Sequence, residues 1–150
     1  MADPVARGWA EALASGDPTK GALAARDVID HQATKSLPKV LMDPKWLVSA
    51  WEKTVDIMEK YNEPGRFTAF IGFEWTSNTG GNNLHRNVIF RDNGLRASLV
   101  EPFTTLKPLG SDNPVDLWKW LAAYEEKTGG SVLAIAHNGN LSNGRMFSVE

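Results

Sequence analysis

The stretch Phe67–Phe90, FTAFIGFEWTSNTGGNNLHRNVIF, decides how the rest of the chain is read. Phe67 to Trp75 carries one charge, at Glu74, and reads as a strand covered on both faces. A Gly/Asn-rich loop follows, and Arg86–Phe90 reads as a second strand, so the two make a hairpin. Glu74 then closes the first strand and His85 opens the second, which sets them side by side at one edge of the sheet. A carboxylate and an imidazole meeting there are candidate metal ligands or an acid/base pair.

Downstream, SVLAIAHNGN (Ser131–Asn140) ends an apolar run on His137. Before it, Asn113-Pro114 and the stripe Val115, Trp118, Leu121, Ala122 predict a helix to about Lys127, stopped at Gly129-Gly130. Strand, hairpin, helix, strand is an α/β order. The helix is expected to act as a crossover, returning Val132–Ala136 parallel to the first strand. The carboxyl ends of both strands would share one rim, where α/β proteins place their chemistry, and Glu74, His85 and His137 stand on it. Residues 91–113 read as an irregular connection with a short strand over Ser98–Phe103.

Working back toward the N-terminus, Pro4, Asp17-Pro18 and Asp43-Pro44 each signal a helix start. The third helix, 44–61, has the clearest stripe: Trp46, Leu47, Ala50, Trp51, Val55, Met58, Tyr61. His31–Val40 reads as a polar connection with His31 in solvent. The 150 residues suit one domain, 1–62 mainly helical and 63–150 carrying the strand-hairpin-helix-strand part.

Composition excludes several function classes. A net charge of −2 offers no excess of Lys and Arg for a nucleic-acid footprint. With no cysteine there are no disulfides, thiolate zinc sites or Cys nucleophiles. No apolar run approaches the ~20 residues of a membrane span, and no signal peptide is recognisable, so a soluble protein of undetermined compartment is expected. The six tryptophans are expected to be core bulk. Gly-x-Ser-x-Gly, P-loop and dinucleotide-binding patterns are all missing.

Glu74, at the end of a charge-free run, must be paired, coordinated or neutralised. Arg86 is the structural partner; a metal is the functional one. Oxygen and nitrogen ligands without sulfur suit zinc, manganese or iron. Arg86 and Arg145 are candidates to hold an anion, and Asn138 to contact a substrate. The other loop asparagines fit turn chemistry.

These residues resemble a known family. Gly72-Phe73-Glu74, a loop and His85 opening a strand resemble the metal-binding hairpin of the polymerase and histidinol phosphatase (PHP) superfamily. Ala136-His137-Asn138-Gly139-Asn140 is similar to its later His-Pro-Gly-Asn segment, with Asn138 in place of proline. Over most of its length the chain looks like an uncharacterised bacterial family of large PHP-related proteins. The resemblance implies a distorted β/α, TIM-like barrel and a metal-dependent hydrolase, a phosphoesterase with a metal-activated hydroxide as nucleophile. It implies Glu74, His85 and His137 as metal ligands and a small-molecule ester as substrate. The superfamily's initial His-x-His pair and late Asp-x-His segment are missing here. The chain therefore resembles an internal piece, inactive alone, with a two- or three-metal cluster completed only in the full-length parent. Missing strands would leave sheet edges open to homo-oligomerisation. The alternative is a non-catalytic structural domain, or one binding a metal or partner.

Overall fold

The four long helices all begin at an Asp-Pro or Asn-Pro pair in the computed structural model, which describes residues 3–34 and 36–147. They are α1 (Pro4–Ala14), α2 (Pro18–Ala33), α3 (Pro44–Tyr61) and, after the short α4 (Gly94–Ala97), α5 (Pro114–Thr128). Proline at the first helical position lacks an N–H that the helix could not satisfy anyway, and its φ is already helical. The preceding side chain accepts the next free donors. Asp3 Oδ1 lies 3.0 Å from the N–H groups of Val5 and Ala6, and Asn113 Oδ1 3.0 Å from that of Val115. At the other end of α5, Gly129 takes φ 64°, the left-handed cap that a side chain would disfavour.

The chain divides into two compact units, 1–47 and 48–150. In the first, α1 and α2 pack on each other through Ala6, Trp9 and Ala24. Trp9 Nε1 donates to Asp27 Oδ2 at 2.7 Å, and the Trp9 ring meets His31 edge-on at 5.1 Å. His31 is thus helical and half-buried, not solvated in a connection, because α2 continues to Ala33.

In the second unit a three-stranded sheet is built from β1 (Gly72–Trp75), β2 (Arg86–Phe90) and β3 (Val132–Ala136) in that spatial order. Mixed α/β is therefore the observed class, and among the described residues the sheet is open. Both neighbouring pairs are antiparallel, with Glu74 opposite Asn87, Trp75 opposite Arg86, and Arg86 opposite Ala136. The strand after α5 returns in the expected direction: β3 runs the same way as β1, with β2 between them.

One face of the sheet carries Phe73, Trp75, Val88, Phe90 and Ala134 and packs against Trp51 and Val55 of α3 and Leu117 and Tyr124 of α5. Phe73, Phe90, Trp120 and Tyr124 pack ring to ring, with Phe90 and Tyr124 centroids 5.0 Å apart. Trp51 and Trp75 are core bulk as expected, each with its indole N–H on a backbone carbonyl (Ala97 and Ser111). Trp46 and Trp118 are exposed instead.

Two strand expectations are corrected. Residues 67–71 are not strand: Phe67 exchanges both its backbone hydrogen bonds with Glu63 across the 62–66 turn, and Phe67 and Phe70 stay exposed. Ser98–Phe103 is not strand either, because α4 turns the chain at Asn93 and packs Ala97 into the core. Among the described residues, no helix is long and apolar enough to cross a membrane.

Candidate metal centre

Period-two alternation along a strand explains why three distant residues meet. Trp75, Arg86 and Ala136 are opposite one another across the sheet, so their neighbours Glu74, His85 and His137 all fall on the other face, at the same rim. The ladder continues one step beyond the strands, with the His137 N–H donating to His85 O at 3.2 Å. Loop 76–85 is tied back by Leu84 N–H to Ser77 O at 3.0 Å, and the loop after β3 by Asn83 N–H to Leu141 O at 3.0 Å. Leu141 and Asn143 hold left-handed φ values of 53° and 52° there. Such a conformation is costly for a leucine and is found where surrounding contacts impose it.

Glu74 Oε1 lies 3.1 Å from His85 Nδ1 and 3.3 Å from His137 Nδ1, and the two Nδ1 atoms are 3.3 Å apart. His85 is buried, at 4% exposure, while the Glu74 and His137 side chains are about 40% and 41% exposed, so the cluster opens to solvent on one side. Burial alone would push the Glu74 carboxyl up. The contacts with His85, His137 and Thr76 and the charge of His137 outweigh it and hold the carboxyl below its ordinary value. Thr76 Oγ1 donates to Glu74 Oε1 at 3.2 Å, a contact that sequence reading missed although Thr76 sits two residues on.

The donor set fits a transition-metal ion. Ligand atoms held 2.0–2.2 Å from a tetrahedral zinc are about 3.3–3.6 Å from one another. The three atoms here form a triangle with sides of 3.1, 3.3 and 3.3 Å. Hydrogen bonding can form the same triangle, because one carboxylate oxygen accepts from two N–H donors.

The remaining predicted site residues take different places. Asn138 joins the cluster: its backbone O and its Oδ1 are each 3.2 Å from His85 Nε2. Arg86 does not pair with Glu74. Strand alternation sends it to the opposite face, where its guanidinium lies 5.9 Å from the Trp118 ring centroid and bonds the Met146 sulfur and the Leu84 and His85 carbonyls. Arg145 is exposed in the loop that follows β3. Asparagines serve turns as expected, Asn82 Nδ2 donating to Thr79 O and Gly80 O, and they also knit the two loops together. Asn143 Nδ2 donates to Asn82 Oδ1 at 2.9 Å, and Asn83 Nδ2 reaches Asn140 Oδ1 at 3.4 Å.

No curated protein and no solved structure matches the chain. A family model described as a protein of unknown function, DUF3604, matches residues 1–150, the whole chain, and the protein belongs to that DUF3604 family.

Proposed function

We propose that the chain holds a divalent zinc, manganese or iron ion through Glu74 Oε1, His85 Nδ1 and His137 Nδ1. In the full-length parent this centre would serve a PHP-like hydrolase of phosphoesters, with a small-molecule ester as substrate. The observation that carries the reading is the near-equilateral triangle of ligand atoms, whose edges lie at or just under the lower limit of a zinc coordination sphere. The bound ion would supply Lewis-acid polarisation of a phosphoryl oxygen and a water that ionises near neutral pH. The residues' own part is to fix geometry and charge. Glu74, kept ionised, supplies the one negative charge, and the two imidazoles bind as neutral ligands. Of the two arginines, exposed Arg145 is the one we assign to a substrate anion, since Arg86 is engaged on the far face of the sheet.

The sheet supports a place in a larger barrel. Its helix-covered face is finished, whereas the other presents Gly72, Ile89, Leu133 and Ile135, with Leu133 and Ile135 half exposed. An apolar face left bare beside a metal centre is one that further segments of a larger fold would cover.

The test is metal content of the purified chain beside Glu74→Ala and His137→Ala. About one ion per wild-type chain and little in either variant is expected; equal content in all three overturns the ligand assignment. The competing structural reading draws on the same Glu74–His hydrogen bonds. It predicts that both substitutions lower the melting temperature with or without added zinc.

A further inference from the structure

We infer that Asn138 is a positioning residue for this centre: its side-chain oxygen holds His85 with the ring proton on Nε2, leaving Nδ1 as the ligand atom. The inference rests on the metal reading above and adds the device that selects the ligating nitrogen. His85 Nε2 faces two oxygens of one residue, Asn138 O and Oδ1, each at 3.2 Å. The amide orientation is set by a second contact, because Asn140 N–H donates to the same Oδ1 at 3.0 Å, which requires an oxygen at that position. Both atoms only accept, so Nε2 must donate. A neutral imidazole has one donor and one acceptor nitrogen, and Nδ1 is left with its lone pair. That lone pair belongs to the atom 3.1 Å from Glu74 Oε1 and 3.3 Å from His137 Nδ1. Asn83 Nδ2, a donor, sits 3.4 Å from the same Nδ1. The ring is buried, so water cannot readily replace Asn138 as the acceptor.

The side chain does more than duplicate the backbone carbonyl. By bridging His85 Nε2 and Asn140 N–H, Oδ1 fixes the 138–140 turn, and this keeps Asn138 O aimed at the ring. Partners of this kind orient a metal-bound histidine and fix its tautomer, and losing them costs about 10- to 100-fold in metal affinity. Asn138 is also a candidate substrate contact, and the oxygen that reaches His85 leaves its Nδ2 for that part.

The experiment uses the whole chain with ¹⁵N-labelled histidine. Long-range ¹H–¹⁵N spectra are recorded without metal and with zinc, the His85 signals being assigned through His85→Gln. Zinc affinity is measured by chelator competition for wild type, Asn138→Ala and Asn138→Asp. We expect the His85 proton on Nε2 in both states and zinc on Nδ1. Asn138→Ala should bind zinc about tenfold more weakly and populate both tautomers when metal-free. Asn138→Asp, which keeps an acceptor oxygen, should restore both properties. A proton on Nδ1, zinc on Nε2, or an Asn138→Ala chain matching wild type in tautomer and affinity overturns the inference. A wild-type chain that takes up no zinc sinks the metal reading instead, and the metal-free tautomer still decides the role of Asn138.

Discussion

Asp92 ties three segments of the second unit together with one carboxylate. Its Oδ2 accepts from Tyr124 Oη at 2.9 Å and from the Ser131 N–H at 2.7 Å, and its Oδ1 from Arg96 at 3.3 Å. Burial pushes the Asp92 carboxyl up, but bonds from Ser131, Tyr124 and Arg96 outweigh it, so the group titrates below 3.8. Burial, then the bond to Asp92, pushes the Tyr124 hydroxyl from 10.0 up to about 12. The two signs bound the stable range. The lowered Asp92 contributes stability at pH above 3.8 that is lost as pH falls through its folded value. The raised Tyr124 contributes stability below pH 10.0 that is lost as pH climbs toward about 12. Denaturant midpoints across pH should show both limbs, and Tyr124→Phe should remove the alkaline one. Gly130 lies against the same pair, where an added methyl would meet the Asp92 carboxylate and lie 2.8 Å from Tyr124 Oη. Gly130→Ala should therefore cost on the order of 2 kcal/mol of unfolding free energy. Glu74→Gln should behave oppositely. Glu74 is about 40% exposed, so stability should move by only about 0.5 kcal/mol while metal content falls sharply.

At the scale of the element, the two sheet faces differ in what they rest on. Leu117 of α5, on the covered side, is fully buried, and Leu117→Ala should cost about 2–5 kcal/mol in chemical denaturation. Leu133 of β3, on the bare side, is 50% exposed, and Leu133→Ala should cost less than about 1 kcal/mol. Similar losses at both positions would mean that the bare face is covered in solution. The helix starts, the β2 and β3 ranges and the Gly129 stop were legible in the sequence, because each depends on residues a few positions apart. The length of β1 was not. Phe67 and Phe70 look like strand residues, but the turn at 62–66 takes the Phe67 backbone bonds, and among the described residues no strand pairs with Phe70.

For the whole molecule, the bare face and the outer edges of β1 and β3 are the surfaces open to pairing or docking among the described residues. An isolated chain exposing them is expected to self-associate, and the pair Leu133→Lys with Ile135→Lys to return it to monomer in sedimentation velocity. A wild-type chain that stays monomeric at high concentration would speak against the open face. The sequence by itself determined where the four long helices begin, where β2 and β3 lie and that Glu74, His85 and His137 stand at one rim. Capping and two-residue alternation are local, so they need no knowledge of the fold. Only the tertiary structure decided that β3 lies beside β2, that Arg86 turns to Trp118, that Asp92 anchors Tyr124 and that Asn138 backs His85. Each of these depends on which distant segments are brought within a few ångströms, and packing, not sequence spacing, sets that.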